Sequence, residues 1–180
     1  MTQVTSTENA LFELSSSLYV DAAPADVYDI VSDLARSGEW SPECVGGEWT
    51  VGTPRTVGSV FRGENLRSED VVGWAPVVRG TWFTESEVVA AEPGRAFQWA
   101  MRDSAGRRQQ SVWGFAIEPQ GTGSRLTHHF RMISATEGIR GITSEMSDTE
   151  REAFFAEWGA KVEGDLGTTL GRIKDVVEEN

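Results

Sequence analysis

Apolar and polar residues alternate along much of residues 11–132, a period of two that is typical of β-strands with one buried face. The clearest case is 81–91, where Trp82, Thr84, Ser86 and Val88 share one face and two glutamates lie on the other. Because charged side chains avoid the interior, we expect the face that carries Trp82 to point inward. Similar patterns, separated by short turns rich in Gly and Pro, predict an antiparallel sheet with strands at 11–20, 44–51, 59–66, 81–91, 97–101, 113–117 and 126–132.

Helical spacing replaces the alternation in two places. After Pro24, apolar residues at 27, 30, 31 and 34 predict a short helix over 25–33, and a second short helix or turn follows over 34–40. Beyond Ser147, which has capping-box spacing with Glu150, a long C-terminal helix is predicted. Four glycines inside it each cost about 1 kcal/mol relative to alanine, so packing must stabilise this helix. Its apolar stripe consists of Phe155, Trp158, Val162, Leu166, Leu170, Ile173 and Val177.

Two connections are longer than a turn requires, at 67–80 and 134–146. Both contain apolar residues, and apolar residues in long loops can form a lid over a pocket. They can equally extend the neighbouring hairpins. The sequence leaves these two interpretations open.

Composition narrows the classes of function. The 180 residues suit one domain, for which we expect boundaries at 10–180 and a flexible tail at 1–9. A net charge of −12 disfavours a nucleic-acid partner. The single cysteine, Cys44, excludes an intramolecular disulfide, and neither a signal peptide nor a membrane span is visible. We therefore expect a cytoplasmic protein, either a monomer or a homodimer.

Several segments resemble those of a known superfamily. They are APADVYDIVSD at 23–33, WSPEC at 40–44, GSVFRGEN at 58–65, EPGRAF at 92–97 and GSRLT at 123–127. Together with the order of elements, they make the chain similar over about residues 14–178 to the SRPBCC superfamily, in its actinobacterial-type polyketide cyclase/dehydrase-like branch. The resemblance implies the helix-grip fold, an α+β architecture in which a curved, antiparallel, seven-stranded sheet wraps around the C-terminal helix. It also implies a cavity between them for hydrophobic ligands.

Alternation places a set of candidate ligand-binding residues on the inner faces of the strands. Three of them are tryptophans, whose flat rings either stack on a planar ligand or simply fill the core. The polar members could hydrogen-bond a ligand carbonyl or a water molecule. The candidates from the strands are Asn65, Trp82, Thr84, Ser86, Trp99, Met101, Trp113 and Phe130, and Trp158 and Val162 face them from the helix.

His128, on the same inner face, is the candidate catalytic residue. A histidine titrates near neutral pH and could move a proton during an aldol closure or a dehydration. The alternative is a hydrogen-bonded core histidine. Its neighbour His129 points to the opposite face, which we expect to be exposed to solvent, so the two histidines cannot chelate one metal ion together. We predict no metal site, no cofactor, and a buried structural role for Cys44.

Three functions remain open. The first is binding of a polyketide-like or polycyclic molecule, with cofactor-independent cyclisation or dehydration at His128. The second is a non-enzymatic carrier or sensor of lipid-like molecules. The third, which relatives of this fold imply, is a chaperone-activating interaction module with a filled interior and an apolar outer patch. An empty space between the strands and the long helix would favour the first two.

Overall fold

The structure, a computed structural model, describes residues 9–180, and the predicted tail at 1–9 lies outside this range except for Asn9. Seven strands form one antiparallel sheet in the order β1-β7-β6-β5-β4-β3-β2. The predicted sheet is confirmed. Most strand ends lie further out than predicted, because residues expected in turns also pair with the neighbouring strand. The strands are β1 Phe12–Val20, β2 Cys44–Val51, β3 Val60–Arg67, β4 Gly80–Glu92, β5 Ala96–Arg102, β6 Arg108–Gln120 and β7 Gly123–Met132.

The sheet curves around the long helix α3, Asp148–Glu178, which begins at the predicted capping box of Ser147 and Glu150. Most of the predicted stripe is buried, from Val162 to Val177. At the first turns, however, Phe154 is fully buried and Phe155 only half-buried, because α3 turns Phe154 towards the second core cluster. Burial of each large apolar side chain contributes about 1.5–3 kcal/mol, which offsets the cost of the glycines.

Between β1 and β2 lie helix α1, Pro24–Val31, and a 3-10 helix, Leu34–Glu39, where two short helices were predicted. Two groups of buried residues form the core. The first joins α1 and the C-terminal half of α3 to the sheet through residues such as Val27, Phe115 and Ile173. The second joins the N-terminal half of α3 to β1, β7 and the connection after β3.

The two long connections are ordered parts of the fold. In the first, Val72, Ala75 and Val77 are buried in the second core cluster. Its fold is held by Arg79, whose guanidinium donates hydrogen bonds to five backbone carbonyls of residues 69–77. The second contains helix α2, Glu137–Thr143, which the sequence analysis did not predict.

Only one of the four glycines of α3 lies against the sheet. A Cβ atom at Gly159 would come within 3.1 Å of the Phe12 ring, so glycine allows close approach there. Cβ atoms at Gly164, Gly167 and Gly171 would meet nothing within 4 Å. None of the helices within residues 9–180 has the length and apolar character needed to cross a membrane.

Candidate functional site

A cavity of about 640 Å³ separates the inner face of the sheet from α3. Its volume falls within the range of about 300–1,000 Å³ that is usual for small-molecule sites. Aromatic side chains cover much of its wall without filling it. Trp99 of β5, Trp113 of β6 and Phe130 of β7 lie side by side in the register of the sheet, and the rings of Trp113 and Phe130 are 4.1 Å apart.

The structure places all of the predicted site residues on the lining of this cavity. Alternation along the strands brings the eight strand candidates and His128 together, and α3 contributes the other two across the gap. The lining includes Asn65, Trp82, Thr84, Ser86, Trp99, Met101, Trp113, His128, Phe130, Trp158 and Val162. Their location is a finding, whereas their roles towards a ligand stay predictions.

His128 is buried in an aromatic box. Its imidazole stacks on Phe115 at 4.2 Å with the two rings nearly parallel, and the indoles of Trp99 and Trp113 lie at 6.4 and 6.1 Å. Nδ1 lies 2.8 Å from the backbone carbonyl oxygen of Gly114. Because a carbonyl oxygen can only accept, Nδ1 carries the proton of the neutral ring and donates to Gly114.

This environment keeps His128 uncharged. Burial lowers the pKa of His128 to about 4, and the hydrogen bond to Gly114 offsets only part of that effect. At neutral pH the ring is therefore a hydrogen-bond acceptor or weak base at Nε2 rather than an acid. Within residues 9–180, no side chain or backbone group is hydrogen-bonded to Nε2.

His129 differs from the expectation that it faces solvent freely. It lies on the outer face but is half-buried, since Gly114 has no side chain and lets the His129 ring settle against the sheet. A Cβ atom on Gly114 would be 2.7 Å from both His129 and Gln98. Burial lowers the pKa of His129 as well.

Smaller polar groups complete the inner wall. The Asn65 side-chain amide donates to Thr84 Oγ1 at 3.1 Å, so these two neighbours on β3 and β4 satisfy each other in part. The Ser86 hydroxyl lies 3.8 Å from the Met101 sulfur, a weak contact that leaves the hydroxyl free to bond elsewhere. Cys44 also lines the cavity, is half-buried rather than fully buried, and has its Sγ 3.0 Å from Ser37 Oγ.

A charged group that we call the rim cluster, consisting of Glu43, Arg67, Lys161 and Asp165, forms part of the lining. Arg67 forms a bidentate salt bridge with Glu43, in which Nε and Nη2 donate to the two carboxylate oxygens at 2.8 and 3.1 Å. Lys161 of α3 bridges Glu43 at 2.7 Å and Asp165 at 2.6 Å. The rim cluster therefore fastens α3 to the segment that precedes β2.

Arg67 also separates two indoles. Its guanidinium carbon lies 4.4 Å from the centre of the Trp82 ring on β4 and 5.1 Å from that of Trp158 on α3. Cation–π attraction of this kind contributes about 0.5–2 kcal/mol for each ring. Arg67 therefore connects the sheet with the helix at this end of the cavity.

Electrostatics inside the rim cluster favour the ionised form of Glu43. Burial alone would raise the pKa of Glu43, but the hydrogen bonds and positive charges of Arg67 and Lys161 outweigh it, so the pKa is lowered.

The Trp82 indole N–H is buried without a hydrogen-bond partner among residues 9–180. A buried donor of this kind normally has a partner, and a ligand oxygen is one candidate.

Sequence reasoning missed the rim cluster. Arg67 does follow the alternation of β3, two residues after Asn65, and that parity could have placed it on the inner face. Glu43 and Lys161 carry no such signal, because they are 118 residues apart and meet only in the folded chain. Within residues 9–180, no three His, Cys, Asp or Glu side chains are grouped so as to hold a metal ion.

Several solved structures have the same fold as this chain. A Polyketide_cyc-like protein from Corynebacterium glutamicum is 30% identical, with a TM-score of 0.61 and coverage of 94% of this chain and 93% of that one. The Zhui aromatase/cyclase from Streptomyces sp. R1128 is 14% identical, with a TM-score of 0.65 and coverage of 93% and 94%.

A third structure is the di-domain ARO/CYC StfQ from the steffimycin biosynthetic pathway, which is 14% identical, with a TM-score of 0.66 and coverage of 93% of this chain and 50% of that one. No curated protein matches the sequence significantly. A family model described as "Polyketide cyclase / dehydrase and lipid transport" matches residues 12–178. This match covers nearly the whole chain, so the protein belongs to that polyketide cyclase/dehydrase and lipid transport family.

Proposed function

We propose that this protein binds a small, planar, largely apolar molecule of the polyketide type between the sheet and α3. The observation that carries the proposal is the cavity of about 640 Å³ with Trp99, Trp113 and Phe130 along one wall. Flat rings offer a large apolar contact area and stack on fused-ring ligands. A module that works only through its outer surface would have no need to leave this interior space open.

The cavity also offers a weak base. The neutral imidazole of His128, with Nε2 free of partners among residues 9–180, can accept a proton from a carbon acid or hydroxyl of a ligand. Such a transfer is the step that an aldol closure or dehydration requires. The aromatic box makes His128 a weak base for it, because burial disfavours the imidazolium that forms when the ring accepts a proton. Catalysis of cyclisation or dehydration is the finer part of the proposal.

Native mass spectrometry of freshly purified protein tests binding. We expect a co-purifying apolar compound, and we expect Ser111→Phe to lose it, because Ser111 lines the cavity, is fully buried and would carry the new ring into the empty space. Val112→Phe is the matched control, since the neighbouring residue lies on the opposite face of β6. Equal retention of the compound by both variants would contradict binding in this cavity.

The carrier alternative follows from the lipid transport part of the family description. The two functions separate when the compound is incubated with the protein and followed by chromatography. An enzyme converts a linear polyketide-type compound to a cyclised or dehydrated product, and His128→Asn abolishes conversion while the aromatic wall still holds the compound. A carrier returns the compound unchanged while Trp113→Ala weakens its affinity.

A further inference from the structure

Most charged side chains in the cavity lining are already neutralised by partners. Glu43, Arg67, Lys161 and Asp165 pair with one another in the rim cluster. A ligand carboxylate that approached these residues would have to displace Glu43 from two cations that already satisfy it. Displacing a partly buried ion pair costs more than an exposed one, because neither partner is fully solvated when it is released.

Elsewhere in the lining, Arg102 and Asp103 lie in ion pairs, and the exposed Glu137 has hydrogen-bond donors as its partners. Arg102 bridges Glu85 at 3.3 Å and also donates to the carbonyl of Gly106. Asp103 pairs with Arg107 at 3.0 Å. The Glu137 carboxylate accepts hydrogen bonds from Ser104, at 2.6 Å from the hydroxyl and 2.8 Å from the backbone N–H.

The remaining charged residue of the lining is Arg62. Its side chain is exposed and its guanidinium lies over the Phe83 ring at 3.9 Å, on the outer face of the sheet. Within residues 9–180, the lining thus offers no inward charge without a partner. A charged ligand would be buried against aromatic rings with nothing to neutralise it, which is strongly unfavourable.

The polar groups of the inner wall give the ligand a further requirement. The hydrogen bond from Nδ1 of His128 to Gly114 leaves the lone pair of Nε2 as an acceptor in an aromatic wall. An acceptor in such a place is satisfied by a donor, and the ligand is the partner that can bring one. Because stacking on Phe115 prevents the ring from turning freely, the direction of this acceptor is fixed by the fold.

We infer that the cavity selects an uncharged, hydroxylated aromatic ligand that donates a phenolic or enolic hydrogen to Nε2 of His128, and that it rejects carboxylates such as fatty-acid anions. This inference rests on the proposed function and names the class of compound that fits the same site. It makes His128 a specificity-determining residue whether or not the protein catalyses a reaction.

Three probes that differ in one substituent test the inference. Phenanthrol, its methyl ether, and the phenanthrene carboxylate substituted at the same carbon share one ring system, and at neutral pH only the carboxylate is charged. Dissociation constants are measured by quenching of tryptophan fluorescence. We expect phenanthrol to bind about tenfold more tightly than the ether, the size of effect that one hydrogen bond to a buried acceptor produces. We expect the carboxylate to bind at least tenfold more weakly than phenanthrol.

The variant His128→Phe keeps a flat ring against Phe115 and removes the acceptor. We expect this variant to bind phenanthrol and the ether with about equal affinity. The control His129→Phe, on the outer face, should keep the native preference for phenanthrol. Equal binding of phenanthrol and ether by the native protein, or tighter binding of the carboxylate, would overturn the inference. Failure of all three probes to bind would instead count against the proposed function.

A measurement on the native chain covers the case in which His128→Phe does not fold. Long-range proton–nitrogen NMR spectra report which imidazole nitrogen is protonated. We expect His128 to carry its proton on Nδ1, and its Nε2 resonance to shift on addition of phenanthrol but not of the ether. A proton on Nε2 would refute the inference, because that atom would then be a donor.

Discussion

The buried imidazole of His128 makes the stability of this protein sensitive to mild acid. In the unfolded chain a histidine has its ordinary pKa near 6.5, whereas burial lowers the pKa of His128 in the folded protein to about 4. Between these two values the unfolded state binds more protons than the native state. The free energy of unfolding must therefore fall as the pH decreases through this window and be unaffected above it.

The magnitude follows from the two pKa values. Linkage gives a loss of about 2 kcal/mol between pH 7 and pH 5, and about 3 kcal/mol once both states are protonated. Carboxylates with lowered pKa values, such as Glu43, also cost stability in acid, but they do so below their ordinary range near 4.5. The interval from pH 7 to pH 5 therefore reports mainly on the histidines.

Urea unfolding followed by tryptophan fluorescence at pH 7, 6 and 5 measures the effect. The variant His128→Asn offers an amide N–H to Gly114 but does not titrate, so we expect it to lose most of the dependence on pH. The control His129→Gln should lose a smaller part, because His129 is only half-buried. The chain contains two histidines, so the double variant gives the baseline. A native slope retained in His128→Asn would refute the assignment of the low pKa.

Three further predictions concern stability, and thermal or urea unfolding measures the first and the third. Glu43→Gln leaves Arg67 without its counter-charge and Lys161 with Asp165 alone, and it should cost about 2–4 kcal/mol. Glu39→Gln, in an exposed pair, should cost less than about 1 kcal/mol. Arg79→Lys cannot reach five carbonyls, so residues 68–79 should become more susceptible to limited proteolysis without global unfolding. Gly164→Ala should stabilise the protein by up to about 1 kcal/mol, and Gly159→Ala should fail to do so because of its contact with Phe12.

Much of the fold could be predicted because each element repeats a simple period. The alternation in β4 and the spacing of three or four residues in α3 were both strong enough to give the element and its buried face. Helix α2 was missed because Gly138 and Gly141 interrupt its seven residues, although Thr136 does cap it. The ordered structure of the 67–80 connection could not be predicted either. It depends on one arginine that donates to backbone carbonyls, and no periodic pattern encodes such a contact.

The candidate site was predictable to the extent that it depends on which face a side chain occupies. Parity along the strands was sufficient to bring His128 and the tryptophans to one wall. The rim cluster depends instead on contacts between distant segments, as in the pair of Glu43 and Lys161, and no local pattern encodes such a pair. The hydrogen bond from His128 to Gly114 is equally invisible, because alternation does not specify a ring orientation.

The existence of the cavity depends on side-chain size rather than on alternation. Inner-face positions near the middle of the strands are small, as at Gly63, Ser86 and Ser111, and Thr169 faces them from α3. Large residues on the same faces either form the cavity wall, as Trp99 and Trp113 do, or belong to the core clusters at either end. The first cluster packs against α1 and the second half of α3, and the second cluster packs against the first half of α3. A period of two reports only that a side chain points inward, and the same pattern would result from a filled core. The space between sheet and helix is therefore a consequence of where the small residues fall, so substitutions that enlarge them should close it while leaving the fold intact.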